Sequence, residues 1–266
     1  MKAKISKFLR QTKLLYTADK LRFLIARYKN KNKNKFFQAQ YPSFKFPPDY
    51  LMYESFMIHY ENYYKSGEAA ADEFIKLLKK YKAIDSVRIL DWGCGPARIV
   101  RHIPSLISGN SKVFATDYNE KSIHWNKENI NNVSFNLNGI KAELPYEDDF
   151  FDFIYGISIF THLSEKLHYE WKQELTRILK KDGILLLSLQ GDLYRTILTK
   201  AELQKFEQGN LVVRGHVKDG HRIYSAFQPN DFVKKLFSEF EILEHTPSYL
   251  NNGYLEQDVW VFRKNK

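Results

Sequence analysis

The chain has 266 residues, 44% of them apolar and 15% aromatic, with a formal charge of +10. A chain this long can bury a sizeable core without staples, and its single cysteine excludes an internal disulfide framework. No apolar run approaches the roughly 18–20 residues of a membrane span, and the basic N-terminus lacks an apolar stretch with a cleavage site, so a cytoplasmic protein is expected.

The charge is unevenly spread. Residues 1–35 carry twelve bases against one acid, Asp19, so this segment holds +11 and the remainder −1. Ile5, Phe8, Leu9, Thr12, Leu15 and Tyr16 fall on one side of a 3.6-residue period, and Leu21, Phe23, Leu24 and Ile25 follow. KNKNKNK then reads as a solvated linker. Three roles stay open for this tail: a helix docked on the protein itself, an interfacial helix on an anionic membrane at the inner face, or a nucleic-acid arm.

YPSFKFPPDYLMY, with three prolines, predicts an extended crossing. Residues 50–82 read as helices separated at Gly67, with Phe74, Leu77, Leu78 and Tyr81 as the apolar stripe of the second. From residue 87 strands and helices alternate. VRILDW, KVFAT, VSFNL, FDFIYG and GILLLSL read as strands. Pro96–Ser105, Glu120–Ile130 and Ser164–Lys181 read as helices, the last capped by Ser164, with Leu167, Trp171, Leu175 and Ile178 inward. Residues 190–228 have weak periodicity. A helix over Asp231–Phe240 and the strands EFEILEH and QDVWVFRK close the chain. Near-continuous apolar strands between helices predict a Rossmann-like α/β fold: a doubly wound, seven-stranded, mostly parallel sheet with helices on both faces, plus an N-terminal helical extension. The expected organisation is a basic tail at 1–35, a helical lid at 36–82 and the α/β domain at 83–266, with a substrate-binding insertion at 190–228.

The chemistry concentrates in ILDWGCGPARIVRHI. A buried strand ends at Asp91 and runs into Gly93 and Gly95, whose missing side chains let the backbone pass close to a ligand and deliver it to the N-terminus of a following helix. The dinucleotide fingerprint places its glycines differently and carries a pyrophosphate. Here an acid precedes the glycines. It would repel a pyrophosphate and suit a ligand bearing an ammonium group. Asp117 ends the neighbouring strand, where a carboxylate can accept both ribose hydroxyls. Tyr118, next in the chain, can flank an adenine.

Together these residues resemble the class I S-adenosylmethionine-dependent methyltransferases over roughly residues 85–190. The turn Asp91-Trp92-Gly93-Cys94-Gly95-Pro96-Ala97 is similar to the family's first motif, with Ala97 in place of a third glycine. Asp117 matches its ribose acid. LPYEDDFFDFIYGISIFTHLSE matches its fourth-strand region, and ELTRILKKDGILLL the following helix and strand. DWGCG, Trp125, LPY, ISIFTHLSE and Gln257-Asp258 also resemble a bacterial branch found with glycan-assembly enzymes. The resemblance implies S-adenosylmethionine as cofactor, with Gly93, Gly95 and Asp91 at its methionine half and Asp117 at its ribose. Where the family carries an aspartate for the adenine amine, Asn138 or the backbone of Ile140 would serve. Gly156 and Ile157 would touch the methionine half, and Phe160 would pack near the sulfonium.

A hydroxyl acceptor needs its proton removed, and His162, just past the fourth strand, is the candidate base; the alternative is a histidine bonded to backbone. His59, His216 and His221 stand behind it, and His102 reads as structural. No metal spacing occurs, and Cys94 fills the turn. YGISIF lacks the Asn/Asp-Pro-Pro-aromatic motif of base-amine methyltransferases, so nucleic acid is disfavoured. The expected acceptor is a saccharide or small polar hydroxyl compound. A cofactor-binding accessory or regulatory protein of a membrane-associated glycan-assembly system, or a nucleic-acid methyltransferase, remains the alternative.

Overall fold

The computed structural model describes residues 15–56, 58–215, 219–221, 224–251 and 253–265. Its main sheet has seven strands in the order β3-β2-β1-β4-β5-β11-β8. These are β1 (Arg88–Trp92), β2 (Lys112–Asp117), β3 (Ser134–Leu137), β4 (Phe151–Ile157), β5 (Leu179–Leu189), β8 (Phe240–Thr246) and β11 (Asp258–Lys264). β1–β4, β4–β5 and β2–β3 are parallel pairs, while β11 runs antiparallel between β5 and β8. The expected mostly parallel, seven-stranded sheet is the observed one. The order reverses at β1, which makes its carboxyl end the switch point where ligands bind in open α/β sheets.

The chain divides into two compact units. One takes Arg88–Gly93 and the chain from Asn138 onward; the other takes the described residues up to Val87 with Cys94–Leu137.

In the first unit β4 is buried along six of its seven residues, as a central parallel strand requires. Asp152 is buried within it and accepts Arg88 N–H at 2.9 Å and Lys180 Nζ at 2.9 Å, so the buried charge is paired. Helix α5 (Glu165–Ile178) buries Leu167, Trp171, Leu175 and Ile178 as its period predicts, but stops three residues short of Lys181 because Leu179 already pairs with Phe151 in the sheet. Ser164 stands at its N-cap without a side-chain cap bond. Residues 190–228 hold a 3₁₀ turn at Asp192–Ile197, helix α6 (Lys200–Glu207) closed by a Thr199–Glu202 capping box, and the hairpin β6 (Val212–Arg214) and β7 (Ser225–Phe227). Helix α7 (Asn230–Leu236) ends four residues before Phe240, which begins β8. A short pair, β9 (Leu250–Asn251) and β10 (Tyr254–Leu255), precedes β11.

The second unit corrects three expectations. KNKNKNK is helical: α1 runs over Leu15–Gln40 without interruption. Its Ala26 and Phe37 are buried, and the Asn34 amide donates to Ile58 O at 3.0 Å while its carbonyl accepts Tyr60 N–H at 3.1 Å. Tertiary docking overrides a weak local signal. The break between the next helices, α2 (Asp49–Phe56) and α3 (Tyr60–Tyr81), lies near Ile58 at φ 57°, not at Gly67. Gly67 sits inside α3 because a β-carbon there would stand 2.1 Å from Arg98 O. The buried line of α3 is Tyr63, Gly67, Ala71, Ile75 and Leu78, so Leu78 is the one buried member of the expected stripe. Pro96–Ser105 is no α-helix: a turn with Ala97 at φ 60° leads into a 3₁₀ segment, Val100–Ser105, that contains Pro104. Helix α4 (Glu120–Asn129) is capped by the Asn119 side chain, which accepts Lys121 and Ser122 N–H.

Candidate functional site

In the second unit the glycine turn is built around Asp117. Its Oδ2 accepts Gly95 N–H at 2.8 Å and its Oδ1 accepts Asn119 N–H at 2.7 Å. Cys94 N–H reaches Thr116 O at 2.9 Å, tying the turn to the end of β2. Asn126 of α4 donates to Gly95 O at 2.9 Å and so holds the turn from the other side. Gly95 lies at φ 51° and Gly93 at φ 80°, in the left-handed region that glycine enters freely. Ala97, where the sequence departs from glycine, adopts the same region at φ 60°. Tyr63 of α3 donates to Pro96 O at 2.6 Å, so that helix buttresses the turn from below. Burial pushes the Asp117 carboxyl above its usual range, and the N–H groups of Asn119, Gly95 and Tyr118 pull it back. Each carboxylate oxygen has a second lone pair for a further donor. Tyr118 beside it is exposed. The helix N-terminus expected beyond the glycines is replaced by the turn and the 3₁₀ segment, and the turn's N–H groups at Cys94, Gly95 and Ala97 are taken by Thr116 O, Asp117 and Cys94 O.

In the first unit Asp91 is buried at the end of β1, paired in register with Tyr155. A β-carbon on Gly93 would lie 2.1 Å from Ile159 Cδ1, and one on Gly156 would lie 2.6 Å from Trp92 Cε3. Packing on the Trp92 ring demands the glycine at 156, while at Gly93 the positive φ of 80° is what favours it. Ile157 closes β4, and Ser158 follows at φ 62°. Ser158 N–H donates to Ser188 Oγ at 2.8 Å, Gln257 Nε2 donates to Ser158 Oγ at 2.8 Å, and Ser188 Oγ donates to Gln257 Oε1 at 2.6 Å. This network ties together the tips of β4, β5 and β11 at the carboxyl edge. Gln257 and Ser158, which lies in ISIFTHLSE, were legible only as part of the family likeness; Ser188 carries no sequence signal. Phe160 is 1% exposed, packed by Trp92, His168 and Phe237.

His162 is largely buried, and its Nδ1 lies 2.8 Å from Tyr224 O. A carbonyl only accepts, so Nδ1 carries the proton and Nε2 is the acceptor in the neutral ring. Burial lowers its affinity for a second proton, more than the Tyr224 carbonyl raises it. His168 is neutral, its burial driving the ring down to about 4, with Gln228 Nε2 3.1 Å from its Nε2. His221 is half-buried, His59 caps α3 by accepting Asn62 N–H, and His102 is driven down to about 4 by burial and by Arg101. His216 lies outside the described residues. Asn138 donates its amide to Gly139 O at 2.7 Å, and its buried Oδ1 has no hydrogen-bond partner among the described residues. Ile140 O accepts Trp171 Nε1–H at 3.1 Å.

Residues 89–183 match the family model described as a methyltransferase domain. A malonyl-[acyl-carrier protein] O-methyltransferase of Bacillus cytotoxicus is 28% identical over 174 residues, covering 64% of this chain and 59% of that protein. A tRNA N(3)-methylcytidine methyltransferase of Schizosaccharomyces pombe is 30% identical over 185 residues, covering 66% of this chain and 58% of that protein. The chain thus spans about three fifths of these relatives. Among solved structures, an S-adenosylmethionine-dependent methyltransferase of Methanosarcina mazei superposes with a TM-score of 0.56 at 19% identity, covering 71% of this chain and 96% of that one. The 1,6-didemethyltoxoflavin-N1-methyltransferase of Burkholderia thailandensis, solved with S-adenosylhomocysteine, gives 0.54 at 14% identity, covering 76% and 79%. The fold is that of these S-adenosylmethionine-dependent enzymes, and residues 89–183 are similar to a methyltransferase domain. The cofactor of that class is S-adenosylmethionine. Two features of the second unit suit it: Gly95 in the left-handed region and the Asp117 carboxylate bonded to it.

Proposed function

We propose that the protein transfers the methyl group of S-adenosylmethionine to a hydroxyl of a saccharide or another small polar molecule. The observation that carries this reading is the pairing of Asp117 with Gly95 N–H, which sets a ribose acceptor against a glycine turn. In this reading Asp117 holds the ribose hydroxyls and Tyr118 flanks the adenine. Asn138 Oδ1 takes the exocyclic amine, next to the backbone of Ile140. Gly93 and Gly95 admit the methionine half, Asp91 faces its ammonium, Gly156 and Ile157 run along it, and Phe160 gives apolar backing. The cofactor supplies a methyl group on a positively charged sulfur. The chain's own task is alignment, which accounts for much of the barrier in such displacements. His162 Nε2 would take the acceptor's proton as the new bond forms.

The segments 1–35, 36–82 and 83–266 would act as tail, lid and catalytic domain, with 190–228 contacting the acceptor. A cytoplasmic enzyme whose tail rests on an anionic membrane would sit beside lipid-linked glycan intermediates, which is the setting the glycan-assembly likeness suggests. Among the described residues no helix is long and apolar enough to cross a membrane.

The test is calorimetry with S-adenosylmethionine, followed by labelled-methyl transfer to saccharides, acyl-chain carboxylates and RNA. Cofactor binding with turnover on a saccharide is expected. Turnover confined to carboxylates or RNA would replace the acceptor, and absence of cofactor binding would overturn the reading as a whole.

A further inference from the structure

Helix α1 has two faces with different fates. Ala26, Asn34 and Phe37 define the docked side, fixed by the Asn34 bonds to Ile58 and Tyr60 and by an Arg27–Asp49 ion pair at 2.9 Å. Half a turn away, Leu21, Leu24, Ile25 and Tyr28 are 58%, 49%, 45% and 84% exposed. Their spacing of i, i+3, i+4 and i+7 puts them in one stripe. Phe36, 69% exposed, extends it two turns further on. Because the docked side is pinned by buried hydrogen bonds, this stripe cannot turn inward without breaking them.

Bases border the stripe. On a 3.6-residue wheel Lys20 and Lys31 lie along one edge, Arg22, Lys29 and Lys33 along the other, and Lys35 at the far end. Between Lys20 and Lys35 there is no acid. A second copy laid against this face would set lysine rows against lysine rows, which is unfavourable. A surface that is apolar in its depth and anionic at its rim meets both requirements at once.

We propose that the outward face of α1 docks on an anionic lipid bilayer, with Leu21, Leu24, Ile25 and Tyr28 entering the headgroup boundary and the flanking bases meeting lipid phosphates. The helix then lies in the plane of the surface and does not span it. This rests on the membrane reading above and locates the contact on α1; Ile5, Phe8 and Leu9 lie outside the described residues. It is independent of the methyl acceptor.

The experiment is co-sedimentation of the full chain with vesicles of phosphatidylcholine alone or with added phosphatidylglycerol, at low and high salt. Wild type should prefer the anionic vesicles by about tenfold or more, and the preference should shrink with salt. The double variant Leu24→Gln/Tyr28→Ser should lose about tenfold in partitioning. Lys31→Glu/Lys35→Glu should abolish the anionic preference. Both variants change exposed side chains only, and unchanged S-adenosylmethionine affinity and melting temperature confirm the fold. Equal binding to both vesicles, or undiminished binding by Leu24→Gln/Tyr28→Ser, overturns the proposal. So does a wild-type dimer in sedimentation that this variant converts to monomer, which would give the face to a second copy. Vesicle binding that persists in a protein without turnover would instead count against the methyl-transfer reading alone.

Discussion

Asp117 accepts the Gly95 N–H at 2.8 Å, so the carboxylate proposed to hold a ribose also holds the shape of the glycine turn. Removing it acts twice. Asp117→Ala should cost about 1.5–3 kcal/mol in cofactor binding, as expected for hydrogen bonds to a charged group. Calorimetry should show affinity falling about tenfold or more. Unchanged affinity in a folded variant would show that the carboxylate does not meet the ligand.

The same carboxylate titrates above the usual aspartate value of about 3.9, burial being the main cause. The ionised form is the one that accepts bonds, so cofactor affinity should fall as pH drops through this raised value, earlier than an exposed aspartate would cause. The effect on folding has the opposite sign. A raised acid pKa in the folded state favours folding below the unfolded value, and that gain is lost as pH rises through the folded one. Asp117→Ala should therefore flatten both the affinity profile and this part of the melting profile.

His162 carries its proton on Nδ1, held by Tyr224 O, and burial keeps the ring neutral below the ordinary histidine range near 6.5. If it takes the acceptor's proton, turnover should stay on its plateau to a pH below about 6.5 and fall only where the ring charges. His162→Ala should lower kcat by roughly a hundredfold and leave cofactor affinity near wild type. Full activity in the variant across the pH range would remove His162 from the chemistry.

A β-carbon on Gly67 would stand 2.1 Å from the backbone O of Arg98. Gly67→Ala should destabilise the protein by about 1–3 kcal/mol through overpacking. The strain falls on the turn that Tyr63 supports, so cofactor affinity should weaken too. Gly139→Ala is the comparison: its nearest neighbour would be Lys141 N at 3.7 Å, and thermal melting should move little.

The sequence by itself determined the alternating α/β body, the seven-stranded sheet and the residues of the glycine turn. These depend on signals that a chain carries locally: apolar runs buried on both faces of parallel strands, glycines where φ turns positive, and an acid at a strand tip. The inward row Leu167, Trp171, Leu175 and Ile178 belongs to the same class. Tertiary structure alone decided the rest. KNKNKNK became helix because Asn34 found partners in Ile58 and Tyr60 while Ala26 and Phe37 found cover. Gly67 proved to be a site of close approach, because Arg98, 31 positions later, passes against it. The turn after Gly95 stayed non-helical with Ala97 left-handed, and Asn126 became its clamp through a bond no local pattern announces. Contacts between distant residues leave no periodicity in the chain, so a reading of periods and motifs finds the elements and the turn and misses what presses them into shape.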